Sequence, residues 1–172
     1  MWKSTVRGAA AAALAFAAAP APAAVLGPHA AACEAGRPAM LVRVEGFKSR
    51  TGVVRVQSYG GDPAGFFAKG RWLTRVDVRV PASGPVQVCV PVPRPGVYAA
   101  SVRHDVNGSG KSDMGDGGGT SGNPQLSLLD VVLKRRPDPA QVSVRVQGTT
   151  PVPVVLNYVQ GGAVKPVAMA RR

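Results

Sequence analysis

The stretch LTRVDVRV, residues 73–80, decides the fold class, because its side chains change character at every step. Thr74, Val76, Val78 and Val80 fall on one side of an extended chain, and Arg75, Asp77 and Arg79 fall on the other. A period of two marks a strand with one face buried and one in water. The pattern recurs in both directions. MLVRVEGF (40–47) sets Val42 and Val44 against Arg43 and Glu45, and GVVRVQSY (52–59) sets Val54 and Val56 against Arg55 and Gln57. The short polar turn Lys48–Gly52 between these two predicts a hairpin. PVQVCVPV (85–92) puts Val86, Val88, Val90 and Val92 on one face and Cys89 on the other. GVYAASVRH (96–104) groups Tyr98, Ala100, Val102 and His104. QVSVRVQ (141–147) and VPVVLNYV (152–159) supply two more strands around a turn at Gly148.

About seven strands at roughly ten-residue spacing, separated by Gly/Pro turns, predict an all-β domain over residues 40–159. The expected architecture is an antiparallel β-sandwich, immunoglobulin-like or prealbumin-like, with a core of small β-branched valines. Residues 60–71 interrupt the alternation. There Asp62 followed by Pro63 is a helix start, a cap residue with proline in the first helical position, so one short helical turn is expected near 62–70. Phe66 or Phe67 is expected to plug the sheet beneath it. LSLLDVVLK (126–134) is apolar without clean alternation and gives no element type.

The first two dozen residues read differently. Lys3 and Arg7 precede an alanine-rich run over residues 8–19, and small residues and prolines follow. This is the layout of a secretory signal over residues 1–24, with a second small-x-small site allowing cleavage as late as residue 32. Prolines interrupt the apolar run before the roughly 20 residues a bilayer core requires, so no transmembrane segment is expected in the mature chain. Residues 25–39 are then a linker and residues 160–172 a frayed basic tail. The expected address is the periplasm or the cell envelope.

In an exported chain the two cysteines, Cys33 and Cys89, are expected to pair. The bridge would close a loop of about 55 residues and contribute roughly 3–4 kcal/mol on a chain-entropy account. Because Cys89 lies opposite the core valines, it would tie the N-terminal segment across the outside of the sheet. Lipidation of Cys33 is the alternative, weakened by Ala30 where a larger aliphatic residue belongs. No Cys-x-x-Cys redox or zinc pattern is present.

Net charge is +12 from 21 basic and 9 acidic residues. Loss of Lys3 and Arg7 with the leader leaves 19 against 9, or +10. Outside the cell such a charge faces anionic envelope lipids, polysaccharides and acidic proteins more than nucleic acid. The competing reading is a solvated sheet face, since the arginines alternate along strands and no run of five like charges occurs.

The most specific chemistry lies in HDVNGSGKSDMGD (104–116). Counting from Asp105, oxygen-bearing side chains stand at positions 1 (Asp105), 3 (Asn107), 5 (Ser109), 9 (Asp113) and 12 (Asp116). Gly110 occupies position 6, where such loops bend, and the Lys111 carbonyl falls at position 7. Hard cations take six to eight oxygens, so a structural calcium ion held by these residues is one reading. Ser109 and the short Asp116 make it a weak site, and no helices flank it. The other reading is an Asx-rich turn whose side chains bond their own backbone. His104 beside Asp105 invites a general-base role, but no Gly-x-Ser-x-Gly nucleophile context accompanies it. Packing at the end of a core strand is the simpler use. Trp72, Tyr59 and Tyr98 would suit a sugar or peptide platform, although Tyr98 alternates inward.

Taken in order, LVRVEGF, GVVRVQSY, DPAGFFAKG, PVPRPGVYAASVRHDVNGSGKSD, SGNP and VPVVLNY resemble the bacterial domain-of-unknown-function family numbered 2141, over about residues 40–159. That resemblance implies an exported or periplasmic β-sandwich and supplies no reaction. GVYAASV is also similar to a strand of prealbumin-like and carboxypeptidase-regulatory-like accessory modules. The combined expectation is a non-enzymatic envelope protein, with a carbohydrate- or peptide-binding accessory module as the alternative and a hydrolase centred on His104 as the third.

Overall fold

The computed structural model describes residues 24–167, so the expected signal peptide falls almost wholly outside the described residues. Strand β1 (Val25–Leu26) and helix α1 (Ala30–Glu34) lead into β2 (Ala39–Glu45) and β3 (Val53–Gly60). A 3₁₀ turn (Pro63–Gly65) precedes β4 (Thr74–Arg79), β5 (Val86–Pro91), β6 (Gly96–Asp105) and β7 (Gly117–Thr120). Helices α2 (Leu128–Val132) and α3 (Pro139–Val142) follow, then β8 (Val144–Val146), β9 (Thr149–Val155), β10 (Asn157–Gln160) and β11 (Ala163–Pro166).

The strands form two sheets packed as an all-β sandwich. The narrow sheet has the order β1-β5-β2-β9, and the wide sheet β11-β10-β7-β6-β3-β4. β8 pairs with the first residues of β6, ahead of the stretch that β7 occupies. Valines at the predicted alternate positions meet between the sheets: Val42, Val54, Val56, Val86, Val88 and Val90 are fully buried there. Removing such surface from water is worth about 25 cal/mol per Å² of apolar area, and it drives the packing. Met40, Leu156 and Tyr158 fill the centre.

The turn at 62–65 forms as expected, with the Asp62 side chain accepting from the Ala64 N–H at 3.0 Å and Pro63 in the first position. Phe66 is the plug: it is buried with Tyr59, Ala99 and Val142 on the outer side of the wide sheet.

Several expectations are corrected. β2 and β3 do not form a hairpin. β2 lies between β5 and β9, whereas β3 pairs with β4 and β6 in the other sheet. Alternation identifies the buried face of a strand but not its neighbour, and a short turn can cross between sheets as readily as return along one. The sandwich is not purely antiparallel, since β2–β9 and β1–β5 are parallel pairs. Residues 25–39 are not a plain linker but carry β1 and α1, held against β5. Residues 160–166 continue the wide sheet through β10 and β11. VPVVLNYV is two strands: the chain passes from the narrow to the wide sheet at Leu156, whose N–H donates to the Glu45 carbonyl at 2.9 Å. QVSVRVQ holds the end of α3 as well as β8.

The segment without an assigned type becomes α2. Its Ser127 accepts from the Asp130 N–H at 3.2 Å, and the Asp130 carboxylate accepts from the Ser127 N–H at 3.0 Å. Two otherwise unpaired backbone donors are thereby satisfied.

Cys33 and Cys89 form a disulfide with Cα atoms 6.0 Å apart. Ala39, Val25 and Leu41 pack around it. The bridge lies on the outer side of the narrow sheet, where the alternation of β5 placed Cys89.

Candidate functional site

The end of β6 carries His104 into the core. Its Nε2 lies 2.8 Å from the Thr51 carbonyl and its Nδ1 2.6 Å from the Tyr158 hydroxyl. A carbonyl can only accept, so in the neutral ring Nε2 holds the proton and Nδ1 accepts from Tyr158. The Tyr158 oxygen in turn accepts from the Lys48 N–H at 3.2 Å. Burial pushes the Tyr158 hydroxyl above its ordinary value, although the Lys48 N–H opposes this, and the Asp116 charge adds to the rise. The Phe47 ring meets the imidazole edge-on at 5.2 Å. His104 is fully buried with both ring nitrogens engaged, so neither can reach a substrate proton.

Asp105 begins the acidic loop, and its carboxylate is also buried. It accepts from the Ser109 N–H at 3.0 Å, the Gly110 N–H at 2.8 Å and the Arg103 guanidinium at 3.2 Å. The Asn107 amide donates to Asp113 at 2.9 Å while its oxygen accepts from the Ser109 N–H at 3.0 Å. Ser109 Oγ donates to the Lys111 carbonyl at 3.2 Å. Asp116 accepts from the Val106 and Asp113 N–H groups at 3.2 and 3.3 Å. The Asp113 carboxyl is held below its usual range, first by the Gly115 N–H and then by the Asn107 amide. Arg103 also donates to the Gly110 carbonyl at 3.1 Å and to Ser112 at 2.9 Å. In this arrangement the expected calcium ligands face N–H donors and a guanidinium. Among the described residues, no three carboxylates, histidines or cysteines come together as a metal cluster. A cation here would have to displace Arg103 and turn those oxygens inward.

The aromatic candidates separate. Tyr98 is buried and donates to the Arg94 carbonyl at 2.7 Å. Tyr59 is buried against Phe67. Trp72 is 43% exposed.

An open trough lies on the outer face of the wide sheet. Register pairs Ser101 with Thr120, Arg103 with Gly118, and Gly118 with Asn157, so these residues share the outward face. Gly118 offers no side chain, which leaves the floor bare. A Cβ built there would meet only the Val102 carbonyl, at 4.0 Å. Phe67 closes one end, and Leu126 and Val131 form a wall. The volume is about 360 Å³, and a second depression of about 390 Å³ adjoins it past Pro124 toward Lys165.

SGNP positions the wall. Ser121 is fully buried: it accepts from the Ala100 N–H at 3.0 Å and donates to the Val142 carbonyl. It thus fills the stretch of β6 edge between β7 and β8. Gly122 has φ +74, and a Cβ there would lie 1.8 Å from the Gln141 carbonyl, so no other residue fits. Asn123 clamps β9 by accepting from the Val155 N–H at 2.7 Å and donating to the Pro153 carbonyl at 3.0 Å. The alternation pattern overlooked this trough, because its floor is defined by a missing side chain. The three consecutive glycines at 117–119 were the available signal.

Fold and site together define a two-sheet β-sandwich with a stapled acidic loop and a glycine-floored trough on its wide face. The chain belongs to the family DUF2141, described as an uncharacterized protein conserved in bacteria, whose model matches residues 42–152. No curated protein and no solved structure matches the chain. No helix among the described residues is long and apolar enough to cross a membrane.

Proposed function

We propose that this protein is an exported, non-enzymatic module of the bacterial envelope that works by binding, with the trough beside α2 as its site. The observation that carries the binding reading is the trough: an apolar concavity of ligand size, kept open by Gly118. Against catalysis stands the burial of His104, whose ring nitrogens are both committed within the core. Export is supported by the leader-like residues 1–24 and by a disulfide suited to an oxidising compartment.

Two measurements test this. Full-length chain expressed in a bacterial host should be recovered from the periplasm, shortened to a start between residues 25 and 33 and oxidised at Cys33 and Cys89. Recovery of uncleaved, reduced protein from the cytoplasm overturns export. An anilinonaphthalene sulfonate dye should brighten on binding the protein, and that signal should be lost in Gly118→Phe. An unchanged signal removes the trough as the site.

Calcium at Asp105, Asn107, Ser109, the Lys111 carbonyl, Asp113 and Asp116 is the second reading, favoured by three carboxylates in one loop. The ion would replace Arg103 as the positive charge of the loop, with affinity on the order of 0.1–1 mM. It predicts a rise in melting temperature in millimolar calcium, but not magnesium, that Asp105→Ala abolishes. Identical curves with calcium and with chelator leave the loop as an arginine-neutralised turn.

A further inference from the structure

We propose that the trough takes a single-chain anionic amphiphile, captured as a dispersed monomer, with its alkyl chain over Gly118 and its acidic head at Lys134, Arg135 and Arg136. This rests on the binding reading above and names its ligand class. The walls that meet the chain are apolar, from Phe67, Leu126, Val131 and Val164. The rim at the end of α2 is cationic, with three consecutive basic residues.

Those charges are available. Arg136 donates to the Ala64 and Phe66 carbonyls at 3.1 and 3.4 Å, which fixes it in place without neutralising it. Lys134 is held at φ +52, and neither it nor Arg136 has a carboxylate within 4.0 Å among the described residues. Arg135 pairs with Asp130 at 3.5 Å, its side chain 58% exposed. Asp130, the one acidic residue in the lining, is already committed to Ser127 and Arg135. An anionic head placed at this rim therefore meets net positive charge, and an apolar body meets the side chains of Phe67, Leu126, Val131 and Val164.

Other occupants fit less well. An extended peptide gains affinity by pairing with a free sheet edge, but the floor strands β6, β7 and β10 already have strand partners on both sides there. A sugar needs several free convergent polar groups and an aromatic face. The Asn123 and Asn157 amides already donate to the Pro153 and Val155 carbonyls, Phe67 is packed edge-on against Tyr59 and Phe66, and Trp72 lines neither depression. The two depressions share Pro124, Leu126 and Val164, so together they reach from Phe67 to Lys165, which suits a chain better than a compact ring.

The test is calorimetric titration of the oxidised mature protein with decanoate below its micelle concentration, and with decanol as the uncharged counterpart. Decanoate should bind one per chain and more tightly than decanol. Gly118→Phe should weaken both at least tenfold, and its melting temperature checks that it folds. Should it fail to fold, Val131→Glu on the exposed wall replaces it and should repel decanoate. Lys134→Gln with Arg135→Gln should weaken decanoate by roughly two- to fivefold per charge, the range for exposed ion pairs, and leave decanol unchanged. If the two ligands bind equally and the charge variant has no effect, the anionic class is overturned while the trough survives as a binding site. If neither binds, both readings fall. Binding only to phosphatidylglycerol vesicles, unaffected by Gly118→Phe, overturns the proposal in favour of a membrane contact through the exposed Leu129, Val132 and Leu133.

Discussion

At the scale of single residues, the molecule depends on a few polar groups held in places where water cannot replace a lost partner. Tyr158→Phe leaves His104 Nδ1 and the Lys48 N–H without their hydroxyl, at a cost of about 1–3 kcal/mol in urea unfolding. Loss below a few tenths of a kcal/mol would mean that the hydroxyl chain is not formed. Arg103→Ala strips the charge partner from the buried Asp105 carboxylate and should cost a comparable amount. Arg103→Lys should recover only part of it, because an ammonium cannot span Asp105, Gly110 and Ser112 together. Full recovery by lysine would show that charge alone matters. Residue identity made His104 visible in the sequence, and its inward position followed from alternation. Its partners did not follow, because Thr51 and Tyr158 reach it from opposite ends of the chain.

At the scale of elements, β4 shows what alternation delivers. Asp77 stands opposite Arg55 on β3 and beside Arg75 on its own strand, at 2.7 Å from each guanidinium. Burial pushes its carboxyl up, but hydrogen bonds from Arg55 and Arg75 outweigh that, and the group lies below its ordinary value. A depressed folded-state pKa gives stability that is present above the unfolded value, near 4, and is lost as pH falls through the folded value. Asp77→Asn should therefore flatten part of the acid limb of the stability curve. The effect should stay under about 1 kcal/mol, since the group is partly in water. An acid limb identical to that of the parent protein would mean that the ladder contributes nothing measurable. The strands were legible for the same reason that this ladder exists: each buried face demands a valine every second residue. α2 was not legible, because Leu129, Val132 and Leu133 face solvent and leave no amphipathic period to read. Its Ser127–Asp130 capping box was the usable sign.

At the scale of the whole molecule, the disulfide joins an N-terminal arm to the narrow sheet from outside the valine core. Replacing Cys33 and Cys89 together by alanine should cost about 3–4 kcal/mol and lower the melting temperature by roughly 10 °C. A shift of only a degree or two would mean that α1 and β1 already hold the arm. The sandwich class, the pairing of Cys33 with Cys89 and the compact order of the family motifs could all be read from the chain. Which strand lies beside which could not, since pairing is set by how two sheets close over each other. The candidate site divides along the same line. The acidic loop was visible because its chemistry is in its side chains, whereas the trough depends on Gly118 having none.

The parallel pairing of β2 with β9 bears on how the chain is made. Ala39 to Glu45 pair with β5 along one edge, but along the other edge they find their neighbour only in Thr149 to Val155. A chain emerging from its N-terminus must therefore hold an apolar strand unpaired along one edge until residues 149–155 have appeared. Non-local pairing of this kind slows folding and prolongs exposure to aggregation. The late strand β9, and not the opening one, sets the moment at which the narrow sheet is complete.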